Sequence, residues 1–180
     1  MKQSLLLCLL FLFSFCALAQ TESEKEEEIE IEGRHSLSFV IGHARIGQGR
    51  NEEGVKEFLT VPSLALDYNY WFNDRWALGL HTDFLNENFF IENGEGEVIE
   101  RERPIAPAIM GVFKASEHWI ISLGVGKEFS NEQNFTLARI SFEYGVEIRN
   151  GWDVFGVLSQ DFRLSAYNVT TFGFGLSKKL

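Results

Sequence analysis

From Ser63 to Phe72 the chain alternates without a break. Leu64, Leu66, Tyr68, Tyr70 and Phe72 occupy one parity, and Ser63, Ala65, Asp67 and Asn69 the other. Successive side chains of an extended strand leave on opposite faces, so this segment carries one apolar face and one small, polar face. The pattern returns along the chain and divides it into eight segments, at roughly 35–47, 58–72, 75–87, 103–115, 118–130, 135–149, 152–164 and 168–178. Each is long enough for a tilted strand that crosses hydrocarbon in about 9–11 residues. In the sixth, Ala138, Ile140, Phe142, Tyr144, Val146 and Ile148 stand opposite Arg139, Ser141, Glu143, Gly145 and Glu147. Three charges facing an unbroken apolar series do not suit a soluble core. They suit a wall with lipid on one side and a polar lumen on the other. The expected fold is therefore all-β: an eight-stranded antiparallel up-and-down transmembrane β-barrel over residues 34–180.

The first segment is ambiguous, because either Leu37, Phe39 and Ile41 or Val40, Ala44 and Ile46 can face lipid. Pro62, Pro104 and Pro107 fall in the second and fourth segments, where each removes a ladder donor. The pair in the fourth predicts a bulge at the outer rim, or a wall able to open sideways.

The first residues have the form of an export signal. Lys2 supplies a positive start, Leu5 to Phe15 an apolar run, and Ala17-Leu18-Ala19 a small-x-small cleavage site. The predicted division is a signal peptide over 1–19, an acidic periplasmic tail over 20–33 and the barrel beyond. A lipoprotein site at Cys16 is not expected, because Phe15 stands where a small residue belongs. Both cysteines, Cys8 and Cys16, lie in the leader, so the exported part has no disulfide to stabilise it. The whole chain has 16 basic and 26 acidic residues, and loss of Lys2 leaves 15 against 26, a net charge of about −11. That balance excludes nucleic acid as a partner, since its phosphates demand a basic footprint. Seven glutamates between Glu22 and Glu32, against Lys25 alone, read as a solvated tail.

Tight turns are predicted at Asn73-Asp74, Ser116-Glu117 and Asn150-Gly151, the last a strong hairpin signal. Longer polar loops at 48–57 and 88–102 fall at the other end, with two modest ones near 130–134 and 165–167. Trp76, Trp119 and Trp152 each follow a tight turn, and Tyr70 and Trp71 precede the first. Ring side chains with a polar edge favour a membrane interface, so these five predict a periplasmic aromatic girdle.

An eight-stranded barrel is just wide enough to be filled by its own side chains. The inward parity supplies Asp67, Asn69, His81, Asp83, Arg139, Glu143, Glu147, Asp161 and Arg163, with Lys127 or Glu128 besides. Opposite charges there can satisfy one another in a plug. His81 and Asp83 share a face, and His43 or Arg45 can join them from the first segment. A metal needs three or more convergent ligands, and the spacing supports only two, so no metal or other cofactor is expected.

Two hairpins, DYNYWFNDRWALGLHTD and EYGVEIRNGWDVFGVLS, resemble those of small eight-stranded outer-membrane barrels of the OmpA/OmpW-like kind, and more closely envelope barrels of Bacteroidota. The resemblance implies residence in an outer membrane, contact with its lipid and delivery by the barrel insertion machinery. The chain departs from such barrels in ending Lys178-Lys179-Leu180 rather than on an aromatic residue. Lipid A-modifying enzymes occur on this scaffold, but no histidine adjoins a serine near an outer loop here, so no catalytic residue is expected. The expected role is structural or one of surface interaction. The alternatives are a barrel that binds or passes a small apolar ligand, and a soluble lipocalin-like barrel with Trp and Phe inside and Arg139 and Glu143 outside.

Overall fold

The computed structural model describes residues 34–50 and 55–180; the expected leader and acidic tail lie outside them. The described residues form ten strands and no helix: β1 His35–Arg50, β2 Lys56–Trp71, β3 Trp76–Leu85, β4 Asn88–Glu92, β5 Val98–Glu102, β6 Ile105–Lys114, β7 Trp119–Glu128, β8 Phe135–Arg149, β9 Trp152–Arg163 and β10 Asn168–Lys179. Eight of them close into an antiparallel barrel in the order β1-β10-β9-β8-β7-β6-β3-β2. The remaining two form a hairpin in what reads from sequence as a polar loop. There Asn93 Oδ1 accepts the N–H groups of Glu95 and Glu97, each at 2.9 Å, and Gly96 takes a φ of 83° that favours glycine.

Closure fixes the geometry. Partners followed around the sheet run from Ser36 through Asn69, Gly79, Met110, Gly124, Arg139, Asp161 and Val169 to Ile46, ten residues beyond the start. A shear of ten over eight strands tilts them by about 40°. On β10 the lipid-facing residues between Thr170 and Lys178 are Phe172, Phe174 and Leu176. At that tilt the span is about 20 Å tall, and aromatic rows at both ends extend it toward a bilayer-sized band.

The alternation settles the first strand. Leu37, Phe39 and Ile41 face outward, while Val40, Ala44 and Ile46 are buried inside. His43 and Arg45 therefore also point outward and cannot join His81 and Asp83. Around the barrel the outer wall carries the exposed large apolar side chains, with Leu123, Phe172 and Phe174 more than half exposed. A lipocalin-like barrel with its aromatic residues inside is the reverse of this arrangement.

The bulge expected at Pro104 and Pro107 is absent. β6 pairs with β3 continuously from Phe113 to Ile105. On its other side the ladder to β7 ends at Ala108–Gly126, then resumes in the same register at the Ile105–Phe129 bridge. Ile105 exchanges both backbone bonds with Phe129, at 3.0 and 2.8 Å. Alternation then points Pro107 at β7 too, so the interruption matches its missing N–H.

Of the expected girdle, Trp76, Trp119 and Trp152 are exposed on the outer wall at the tight-turn end, with Tyr70 half-buried beside His35 and Phe72. Trp76 packs on Phe113 at 4.6 Å between ring centroids, and Trp119 on Tyr144 at 5.1 Å. Trp71 is a correction. It lies on the parity of Asp67 and Asn69, turns into the barrel mouth, and donates Nε1–H to Ser36 Oγ at 3.1 Å.

Inside, Phe155 lies between two partner glycines, Gly145 of β8 and Gly175 of β10. A Cβ on Gly175 would meet the ring Cε atoms at 2.7 Å. Gly175→Val is therefore expected to destabilise the barrel by about 1–3 kcal/mol through overpacking. The measurement is the urea midpoint of the unboiled, fast-migrating form, and adding Phe155→Leu is expected to recover part of the loss.

Candidate functional site

The inward faces of β2, β3, β5 and β7 to β9 bring two groups of polar contacts into the lumen, a small one nearer the tight turns and a longer one beyond it. Nearest the turn end, His81 Nε2 lies 2.9 Å from Asn69 Oδ1, and its Nδ1 lies 3.9 Å from an Asp67 carboxylate oxygen. Midway, Arg139 donates from Nε and Nη2 to Asp161 at 2.6 and 2.8 Å and contacts Asp83 at 3.0 Å. Arg163 approaches Asp161 at 3.5 Å and donates to Glu128. Glu128, wholly buried, also accepts from the Tyr167 hydroxyl at 2.7 and 2.9 Å and from Arg101 Nε at 3.1 Å. Burial raises the Tyr167 phenol above its ordinary value and keeps it a donor.

Arg101 belongs to β5, so the outer hairpin reaches down into the barrel. Its guanidinium also donates to the Gln133 carbonyl and lies 4.8 Å from the Phe135 ring. Phe89 and Ile91 of β4 share that face, and pack with Ala44, Ile46, Val61, Leu85, Phe135, Tyr167 and Val169. The hairpin tip touches the opposite rim, where Gly94 N–H donates to Ser165 O at 3.0 Å. The mouth opposite the tight turns is thus capped by an apolar layer pinned by a buried charge cluster. The free edge of β5 is blunted, since Glu132 and Ser130 side chains accept its Glu100 and Glu102 N–H groups.

Seven of the nine lumen residues expected from sequence take part in these contacts: Asp67, Asn69 and His81 in the first group, Asp83, Arg139, Asp161 and Arg163 in the second. Glu143 is half-buried beside the same lumen, nearer the turn end. Glu147 does not belong to it. It is exposed at the mouth and pairs with Lys179 at 3.1 Å. Between Lys127 and Glu128 the inward residue is Glu128. Arg101 and Tyr167 are additions from outside the eight segments, and only the alternation of Phe89 with Ile91 and of Ile99 with Arg101 signals them. Phe58, Phe129 and Phe162 are exposed on the wall near the ends of three of the eight segments, away from the tight turns, and were not singled out from the sequence.

Two cavities remain inside. One of about 30 Å³ is lined by residues including Asp67, His81, Asp83, Arg139, Ser141 and Glu143, and the Asp67 Oδ1 and Ser141 Oγ atoms there make no hydrogen bond to protein. The other, of about 80 Å³, opens at the turn end between Trp71, Lys114, Phe155 and Lys179. The first has room for little more than a water, and both are lined by polar and apolar side chains together. Among the described residues no group of three or more His, Cys, Asp or Glu side chains is placed to hold a metal ion. Ser122 and Ser141 make no side-chain hydrogen bond, so neither is activated by a histidine.

These features define a class: a small eight-stranded transmembrane β-barrel of the outer-membrane kind, with an exposed apolar belt around its wall. Comparison with solved structures finds the same fold. The attachment invasion locus protein Ail of Yersinia pestis, in complex with the heparin analogue sucrose octasulfate, matches with a TM-score of 0.56 over 83% of this chain and 100% of its own, at 17% identity. Neisserial surface protein A matches with a TM-score of 0.54 over 84% and 100%, at 10% identity. The N-terminal barrel of Pseudomonas aeruginosa OprF gives 0.51 over 81% and 98%, at 11% identity. At these identities the likeness is one of fold. No family model matches the chain, and no curated protein matches it.

Glu128 binds two buried arginines, so Glu128→Gln is expected to cost about 3–5 kcal/mol by leaving charge uncompensated. Guanidinium unfolding of the detergent-solubilised barrel measures this, and pairing it with Arg101→Met is expected to restore part. Arg101→Ala alone is expected to open the hairpin to a glutamate-specific protease at Glu95 and Glu97 while the barrel stays closed.

Proposed function

We propose that the chain is an outer-membrane barrel with a structural or surface-interaction role, exercised by its outer end and not through its lumen. The carrying observation is the plug. Arg139, Arg163 and Arg101 with their carboxylates bridge the interior, and the hairpin covers the mouth, which argues against a continuous passage. In this reading the tight turns and both barrel termini face the periplasm, the hairpin faces outward, and cleavage near Ala19 precedes delivery by the barrel insertion machinery. Kinship with envelope barrels of Bacteroidota rests on the hairpin sequences alone.

The outer surface narrows the partner. Ail was solved with a polyanion, whereas Glu92, Glu95, Glu97, Glu102 and Glu132 are exposed around this hairpin. Like charge disfavours a polyanion here and favours a partner of positive or no net charge. A second reading, storage or passage of a small apolar ligand, has Pro107 in its favour through one lost ladder bond. The interior cavities, of about 30 and 80 Å³, are small for such a ligand and weigh against it.

Membrane fractionation with unboiled and boiled samples on one denaturing gel is the test. The expected outcome is an outer-membrane band that migrates faster unboiled, as a closed barrel does, and no steady conductance after reconstitution in a planar bilayer. Soluble protein without a shift, or a stable open channel, overturns the proposal.

A further inference from the structure

The outer rim has a step. β1 and β2 rise beyond the last β1–β10 pair, Ile46 with Val169, while β9 and β10 are joined by a short turn at 164–167. Under this overhang the outer wall holds a groove of about 480 Å³. On one side the Arg45 guanidinium lies 3.9 Å from the centroid of the Phe58 ring. Lys56 continues that side, since alternation along β2 puts Lys56, Phe58 and Thr60 outward and Glu57 opposite. Gln160, Phe162 and Thr170 form the other side, with the Thr170 hydroxyl donating to Gln160 Oε1 at 2.6 Å.

Among the described residues neither Arg45 nor Lys56 has a carboxylate within ion-pair distance. Immediately toward the membrane the same wall exposes Leu158, Phe172 and Phe174. A groove with two cations along one side, directly above an apolar stripe, is complementary on that side to a molecule whose anionic head is joined to a hydrocarbon tail. Glu57 and Glu92 also border the groove, on the hairpin side, which leaves the Arg45 end for an anion.

We propose that this groove binds the phosphate-bearing headgroup of a membrane lipid, with Arg45 and Lys56 on the phosphate and an acyl chain along Leu158 and Phe172. The proposal rests on the membrane placement argued above. It assigns the site to lipid and not to free phosphate, because the apolar stripe is continuous with the groove and a free anion would gain nothing from it.

The test uses the full chain purified in detergent, with native mass spectrometry after addition of didecanoyl phosphatidic acid or of uncharged didecanoylglycerol. The expected result is retention of the phosphatidic acid at about tenfold lower concentration, in line with two cations near a lipid surface. The double variant Arg45→Gln, Lys56→Gln is expected to lose that preference. Both replacements are on the exposed wall, so the variant keeps its boiling-dependent gel shift. Equal retention of the two lipids by the native chain, or an unchanged preference in the variant, overturns the proposal. So does displacement by equimolar inorganic phosphate, which would assign the groove to a soluble anion. A chain that shows no gel shift fails the barrel reading itself, whereas a shifted chain without lipid preference fails this inference alone.

Discussion

Hydrocarbon offers no partner to a peptide N–H or C=O, so each spanning strand must have a neighbour on both sides. Closure of β1 onto β10, eleven register pairs from Ser36–Lys179 to Ile46–Val169, meets that demand. The rest of the architecture follows. A shear of ten sets the tilt, and the tilt with eight strands sets an interior of about the width that side chains can fill. Alternation then fixes what enters: every second residue of a strand that must be apolar toward lipid is free to be small or charged toward the lumen. Even Pro107 is accommodated within this demand, because its neighbours keep register around one missing donor.

Charges in so narrow a space need each other. Asp161 lies between Arg139 and Arg163, and Glu128 between Arg163 and Arg101, so consecutive links share residues and none stands as an isolated pair. The links also join elements far apart in sequence: β3 and β8 through Asp83 and Arg139, β7 and β9 through Glu128 and Arg163, and the outer hairpin through Arg101. Such a network is sensitive to removal of one member and adds specificity of register more than net stability.

The wall was legible in the sequence because a period of two repeated over long segments is hard to mimic; β8 is the clearest instance. The hairpin was not. Its strands are five residues each, too short for a period to stand out, and they lie amid Asn, Gly and Glu that read as loop. The ambiguity of β1 has the same origin. Ala44 and Ile46 are apolar on the lumen side because Phe89 and Ile91 descend onto them, so both faces of β1 look lipid-compatible. Trp71 illustrates a different failure. Its parity with Asp67 and Asn69 was readable, but its neighbours Tyr70 and Phe72 suggested a surface row. Arg45 was read as a lumen candidate while the facing of β1 was open, and its place at the rim step depends on unequal hairpin heights that no local pattern encodes.

The apolar layer beneath the hairpin draws on both margins of the closing seam. Ile46 and Val169, direct partners across β1 and β10, both belong to it, as do Ala44 and Tyr167. The surface that receives Phe89 and Ile91 therefore does not exist while the sheet is still open. Seating of the hairpin becomes a record of completed assembly, like a keystone that can be dropped in only after the arch has met. An outside observer able to sense whether Arg101 has reached Glu128 would know, without inspecting the seam, that the cylinder below has closed in the right register.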